Sequence, residues 1–103
     1  MSDQTTEGDR IFRLLTRVPD CQQHDLSRGE FCYSRMENGS IKWLHFWPHD
    51  SKVPISAAIR PHQVNGRGAS WELFGTEDRP TLRPSVDARG VWHGFLTNGV
   101  ASQ

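Results

Sequence analysis

Three histidines are the residues of this sequence best suited to metal binding or acid–base chemistry. His45 and His49 lie four residues apart around Pro48, and His93 follows Trp92. Pro48 excludes a helix here, and in a strand positions 45 and 49 lie on one side about 13 Å apart. Joint ligation of one metal then needs a sharp turn at the proline. His45, His49 and His93 are candidate metal ligands. The alternative is that His45 and His93 are half-buried, hydrogen-bonded strand residues and that His49 lies in solvent.

The other reactive side chains do not form an intact catalytic set. Ser85 and His93 can be considered as nucleophile and base, but the sequence around Ser85 is not that of a nucleophile elbow. Cys21 and His24 resemble half of a zinc site, without a second half of matching spacing. The glycine-rich residues 65–68 neither follow a suitable strand motif nor open a helix, so they are no phosphate loop. We therefore expect no catalytic residue, no cofactor-binding residue and no stable metal site.

An arginine cluster near two tryptophans is the candidate surface for a partner. The candidate partner-binding residues are Arg79, Arg83, Arg89 and Trp92. Arginine makes planar polar contacts and tryptophan contributes large contact area, as in interface hot spots. The same combination can stack nucleobases, so single-stranded nucleic acid is an alternative partner. The further alternative is that Trp71 and Trp92 are core residues and the arginines lie in solvated loops.

Composition limits the class of protein. The chain of 103 residues suffices for one domain, and its four Trp and five Phe predict a small, aromatic core. Lys plus Arg and Asp plus Glu both number 12, which argues against bulk DNA or a membrane as the partner. No apolar run of 18 residues and no signal peptide are present. We expect a cytoplasmic protein in which Cys21 and Cys32 are reduced.

Alternating apolar and polar residues predict a mainly β fold. Residues 1–9 are polar without periodicity and are predicted to be disordered, and residues 10–103 are predicted to form one domain. A strand at Glu30–Arg35, a turn at 38–39 and a return strand at 40–47 form the clearest hairpin. Further short strands are predicted at 53–59, 70–74, 80–86 and 91–97, and residues 11–18 fit a helix or a strand. The expected fold is a single antiparallel β-sandwich or partly open barrel with at most one short N-terminal helix.

Two segments in the last third of the chain carry specific motifs. They read SWELFGTEDRPTLRPSV at 70–86 and GVWHGFLTNGV at 90–100. They contain a Trp-x-x-x-Gly turn, a Pro-Thr-Leu-x-Pro-Ser stretch, a Trp-His-Gly unit and an Asn-Gly turn. This pattern resembles a family of small phage and bacterial proteins of unknown function, some of them labelled ammonia monooxygenase. Residues 44–50 are similar to a central segment of that family, and some bacterial relatives lie beside ubiquitin-like conjugation genes.

The resemblance also implies what this chain has lost. Members of the family usually carry cysteines around the central proline and just before the Trp-His unit, an arrangement that looks like zinc ligation. Here the central residues 46–49 read Phe-Trp-Pro-His, and no cysteine precedes Trp92. Only His49 and His93 remain in register, and two histidines do not make a stable zinc site. The resemblance therefore implies a cysteine-depleted member with a degenerate zinc site, and zinc remains the alternative cofactor.

The absence of a catalytic set, the neutral charge and the Arg/Trp cluster favour a non-enzymatic protein-binding module. The resemblance implies a phage-encoded protein that acts in the cytoplasm of the host bacterium, for instance as an inhibitor of a host defence complex. One alternative is a zinc-binding domain or metal-dependent enzyme that uses His49 and His93, with His45 or a cysteine as a further ligand. The other alternative is single-stranded nucleic-acid binding.

Overall fold

Short β-strands make up the protein in the computed structural model, which describes residues 5–7 and 10–103. In chain order the strands are β1 (Thr5–Glu7), β2 (Arg10–Leu14), β3 (Thr16–Arg17), β4 (Glu30–Arg35), β5 (Ile41–Phe46), β6 (Ile55–Ala58), β7 (Glu72–Gly75), β8 (Pro80–Arg83), β9 (Val86–Ala88), β10 (Trp92–Thr97) and β11 (Val100–Ser102). Two 3₁₀ turns, Gln23–Asp25 and Val64–Gly66, are the helical elements of these ranges. The mainly β class is therefore confirmed. Among the described residues, no helix is long and apolar enough to cross a membrane.

The strands form three sheets, and none of the described sheets closes into a barrel. Their orders are β1-β2-β11-β10-β9, β3-β4-β5-β6 and β7-β8. Neighbouring strands pair antiparallel, except that β3 and β4 are parallel. The expected disordered segment 1–9 lies outside the described residues apart from Thr5–Glu7, which pair with β2.

The core lies between the sheets and is rich in aromatic side chains. Phe31, Tyr33, Leu44 and Phe46 have no solvent-exposed surface. They alternate along β4 and β5, so the same face of both strands points inward. The Trp92 ring of the facing sheet packs edge-to-face on Phe46, with ring centroids 5.7 Å apart. The aromatic core expected from composition is thus built from both large sheets.

The proline-containing segment 80–86 is extended as expected, but it divides into β8 and β9. Leu82 and Val86 are buried, and the Trp71 indole, only 9% exposed, belongs to the same core cluster. Phe95 lies outside this cluster, because it is 46% exposed. It alternates with buried Leu96 along β10 and therefore lies on the outer face.

The hairpin of β4 and β5 matches the predicted hairpin. The last residues of the chain, in contrast, form a strand that was not predicted. β4 has the predicted bounds, and β5 lies within residues 40–47. Residues 11–18, which fitted a helix or a strand, form strands: they contain most of β2 and all of β3. We predicted that the last strand ends at residue 97, but β11 follows the Asn98–Gly99 turn and pairs with both β10 and β2. Three residues are too few to show an alternating pattern.

One sheet face points away from the core and carries reactive side chains. The cross-strand pairs on this face are Cys32–His45, Ser34–Trp43 and His45–Ser56. Residues 19–27, here called the covering segment, run from β3 to β4 over this face. Cys21 of the covering segment forms a disulfide with Cys32, so the expectation of two reduced cysteines is wrong. The Cys21 N–H also donates to the carbonyl of Tyr33 (3.1 Å), next to Cys32 in β4.

Candidate active site

His45 is the centre of a hydrogen-bonded group that spans three adjacent strands. Its side chain is nearly buried, and each ring nitrogen faces a serine hydroxyl. Ser34 Oγ on β4 lies 2.8 Å from Nε2. Ser56 Oγ on β6 lies 2.6 Å from Nδ1. Because β5 lies between β4 and β6, the sheet itself sets the spacing of the three side chains.

The hydrogen bonds around Ser34 determine the direction of the group. Ser34 Oγ lies 2.8 Å from the carbonyl oxygen of Cys21, and only the hydroxyl can donate in that pair. Having used its single proton, Ser34 accepts the proton of His45 Nε2–H. A neutral imidazole carries one N–H, so Nδ1 is the acceptor. The Ser56 hydroxyl therefore donates to His45 Nδ1.

Burial keeps the imidazole in the state that this chain of bonds requires. Desolvation lowers the pKa of His45 below its ordinary value of 6.5, because a buried site disfavours the imidazolium. The ring is thus neutral at pH 7 and able to accept a proton. Trp43 stacks on the imidazole with ring centroids 6.3 Å apart and an interplanar angle of 15°. This contact limits rotation of the ring.

A surface depression gives access to the serine on one side of the ring. It is lined by Gln22, Gln23, His24, Trp43, His45 and Ser56. Ser56 is half-buried, so its hydroxyl is bonded to the ring and still borders the depression. Gln23 Nε2 donates to the carbonyl of Pro54 (3.0 Å), which fixes the covering segment against the start of β6. Ser34 borders a separate depression together with Cys21.

Nucleophile, base and an orienting group in hydrogen-bond contact form the arrangement used in covalent catalysis by serine. Here Ser56 is in the position of the nucleophile, His45 in that of the base, and Ser34 in that of the orienting group. In Ser-His-Asp sites a carboxylate orients the histidine, and related constellations use other groups. The fold is a small β domain, and these three side chains form its candidate site for serine chemistry.

The chain belongs to the family described as bacterial ubiquitination-like system serine protease (BubE), whose model matches residues 18–103. All three side chains of the candidate site lie inside the matched part. No curated protein and no solved structure matches the chain. This match confirms the resemblance to a small bacterial family. A ubiquitination-like system also implies protein partners, whereas nothing in these comparisons supports a nucleic-acid partner.

The expectation of a non-enzymatic protein-binding module is wrong, because the family is one of proteases. The family name also indicates a bacterial ubiquitination-like system rather than a phage inhibitor of host defence. No local sequence pattern groups Ser34, His45 and Ser56. The residues of the candidate site come from three strands.

A second serine–histidine pair lies on the outer face of β9 and β10. His93 pairs directly with Asp87 in the strand register, and Ser85 lies just before β9. By alternation all three point to the same side, and both His93 and Asp87 are exposed. In the described part of the chain, no hydrogen bond joins any two of these three side chains. Ser85 and His93, the pair considered in the sequence analysis, are therefore close in strand register but are not joined by a hydrogen bond.

His49 is in contact with a glycine and lines a small cavity. Its ring packs on Gly29, where an added Cβ would lie 2.6 Å from Nε2. It is half-buried rather than solvated, and it lines a cavity of about 100 Å³ with Arg13, Asp50 and Ala101. Across residues 5–7 and 10–103, no three His, Cys, Asp or Glu side chains come together as a metal-binding group. The absence of a metal cofactor stays a prediction.

The candidate partner-binding residues are only partly at the surface. Arg79, Arg83 and Arg89 are exposed, and the Arg83 guanidinium lies 5.5 Å from the ring centroid of Phe74. Trp92 is 3% exposed. Its Nε1 donates to Asp50 Oδ1 at 2.9 Å, so this indole is part of the core. A partner-binding role of the arginines stays a prediction.

Proposed function

We propose that this protein is a serine protease of a bacterial ubiquitination-like system, with Ser56 as the nucleophile and His45 as the general base. The observation that carries the proposal is the 2.6 Å contact between Ser56 Oγ and His45 Nδ1. The opposite nitrogen of the ring is held by Ser34, and the ring is neutral. This assembled geometry favours Ser56 over Ser85.

The proposed reaction is acyl transfer in two steps. Ser56 Oγ attacks the carbonyl carbon of a peptide bond while His45 Nδ1 takes the hydroxyl proton. The imidazolium then gives that proton to the leaving amine, and an ester forms on Ser56. Water hydrolyses the ester with the same base and restores the hydroxyl. Throughout, Ser34 accepts the His45 Nε2–H bond and prevents the ring from turning.

The surroundings of Ser56 suit a polypeptide substrate. β6 is the last strand of its sheet, and its outer edge is bonded to Trp71 only at the C-terminal end, where the Trp71 N–H donates to the Ala58 carbonyl among the described residues. An extended peptide can add to the edge beside Ser56 through main-chain hydrogen bonds. The exposed Gln22 side chain borders the depression and brings an amide N–H₂ that can donate to a developing oxyanion. Protein partners are implied by the family, so we propose that a polypeptide of the conjugation system is the substrate.

A fluorophosphonate probe tests the assignment without a known substrate. The serine oxygen displaces fluoride from phosphorus and the hydroxyl proton passes to the base, so the reaction reports an activated serine. Intact-mass and peptide mass spectrometry should find one adduct, on Ser56. Ser56→Ala should abolish labelling, and His45→Gln should slow it about 10²–10⁴-fold, the usual contribution of a general base.

The matched control is Ser85→Ala, which should be labelled at the wild-type rate. An adduct on Ser85, with labelling lost in that variant, would move the active site to the outer face of β9 and β10. An adduct on Ser34 would reverse the roles of the two serines around His45. A folded protein that is not labelled at all would contradict the proposal.

A further inference from the structure

The disulfide fastens the covering segment beside the candidate site. Cys21 is attached to three consecutive residues of β4. Its sulfur is bonded to Cys32, its N–H donates to the Tyr33 carbonyl, and its carbonyl accepts from Ser34 Oγ. Cys32 lies directly opposite His45 in the pairing of β4 with β5. The covalent link therefore adjoins the hydrogen bonds that orient the catalytic base.

The position of Cys21 determines which nitrogen of the His45 ring carries the proton. Ser34 accepts from His45 Nε2–H only while its own proton is used by the Cys21 carbonyl. If that carbonyl moves away, the Ser34 hydroxyl is free to turn and donate to Nε2. The imidazole then carries its proton on Nδ1, and Nδ1 no longer accepts from Ser56. A displacement at Cys21 thus reaches the nucleophile through two hydrogen bonds.

Cys21 is also the end of the disulfide that can react and move. Cys32 has no exposed surface and is held in β4. Cys21 is half-buried and borders a surface depression, so a thiolate or a phosphine can reach its sulfur. Two thiols need more space than a bonded sulfur pair. After reduction, the displacement therefore falls on Cys21 and its carbonyl rather than on the strand.

We propose that the Cys21–Cys32 disulfide is a redox switch for the hydrolase, active when oxidised and weakly active when reduced. This inference rests on the proposed function of His45 and Ser56. In the switching step the S–S bond breaks and each sulfur gains one electron and one proton. The reductant, a dithiol, closes to its own disulfide. In a reducing compartment the enzyme rests in the weakly active form. A small disulfide activates it by thiol–disulfide exchange, in which the Cys21–Cys32 bond forms again and the added disulfide leaves as two thiols.

The test compares fluorophosphonate labelling rates of oxidised and reduced protein. Dithiothreitol treatment of the wild type, with both thiols verified by maleimide mass shifts, should slow labelling of Ser56 at least fivefold, and reoxidation should restore the rate. The double variant Cys21→Ser/Cys32→Ser should be slow with or without dithiothreitol. Ser34→Ala has already lost the link to the ring, so its rate should not respond to dithiothreitol although its disulfide is intact.

Four results would overturn the switch. The first is a reduced wild type that is labelled at the oxidised rate. The second is a Ser34→Ala variant that slows on reduction as much as the wild type, because the signal then does not pass through Ser34. The third is loss of the β signal in far-UV circular dichroism on reduction, which would make the disulfide a support of the whole fold. The fourth is an oxidised protein without labelling at Ser56, the one result that overturns the proposed function as well.

Discussion

Ser34→Ala should destabilise the protein more than Ser56→Ala, although both serines bond the same imidazole. The direction of the hydrogen bonds causes the difference. Without Ser34, the His45 Nε2–H and the Cys21 carbonyl both lose their partner. Without Ser56, only the acceptor Nδ1 loses its partner, at the border of an open depression.

The magnitudes follow from exposure. His45 is 5% exposed, so water does not readily replace the lost partner of its N–H donor. A buried, unsatisfied group costs about 1–3 kcal/mol. The Cys21 carbonyl, which is partly hydrated, also loses its partner and adds a smaller cost. We therefore expect Ser34→Ala to lower the free energy of unfolding by about 2–3 kcal/mol. Ser56→Ala should cost about 0.5–1 kcal/mol, the net value of one replaceable hydrogen bond.

Thermal unfolding followed by tryptophan fluorescence measures both losses. For a domain of this size each kcal/mol lowers Tm by about 4–8 °C, so the variants should differ by about 5 °C or more. Reactivity should follow a different pattern, since Ser56→Ala removes fluorophosphonate labelling completely while keeping nearly wild-type stability. Equal losses of stability, or a larger loss for Ser56→Ala, would refute the direction assigned to the hydrogen bonds.

Four further predictions concern the base, the core, one strand and metal dependence. The labelling rate should fall with decreasing pH around a midpoint below 6.5, because protonated His45 cannot accept the Ser56 proton; a midpoint at 6.5 or above would contradict a buried base. Trp71→Ala should lower the free energy of unfolding in denaturant titrations by about 3–5 kcal/mol, and a change within error would place the indole outside the core. Gly94→Ala should lower Tm, because the new Cβ would overlap the Ser102 carbonyl; an unchanged Tm would show that β11 can shift freely. A chelator should leave Tm unchanged, and melting on its addition would make the histidines metal ligands.

The parts of the fold that were predictable have local signals. Alternation over six residues on each side of an Asn-Gly turn is sufficient to place β4, β5 and their inward faces. The same alternation puts Trp43 and His45 on one face of β5. It also puts Cys32 on the face of β4 that Phe31 and Tyr33 do not share. In contrast, β11 has only three residues, and its pairing with β2 depends on contacts across most of the chain. Short strands of this kind are defined by their neighbours rather than by their own sequence.

The candidate site was not predictable because its members meet only after three strands pair. Ser34 and His45 become neighbours through the pairing of β4 with β5. Ser56 reaches the ring only when β6 joins β5 across an irregular connection that no turn motif defines. Serine is common on exposed strand faces, so its type alone gave no signal. The family description points to a serine nucleophile. The family motifs quoted above contain Ser85 and His93, which makes these two residues the competing pair that the labelling experiment must separate from Ser56 and His45.

The protonation state of the His45 ring tests the central claim most directly. Nitrogen-15 NMR of the imidazole distinguishes a protonated ring nitrogen from an unprotonated one, and Ser34→Ala provides the reference in which the orienting bond is lost. At pH 7 the wild type should show a neutral ring with the proton on Nε2 and a free electron pair on Nδ1 toward Ser56. A ring protonated on Nδ1, or a charged ring, would contradict the assignment of Ser56 as the activated nucleophile.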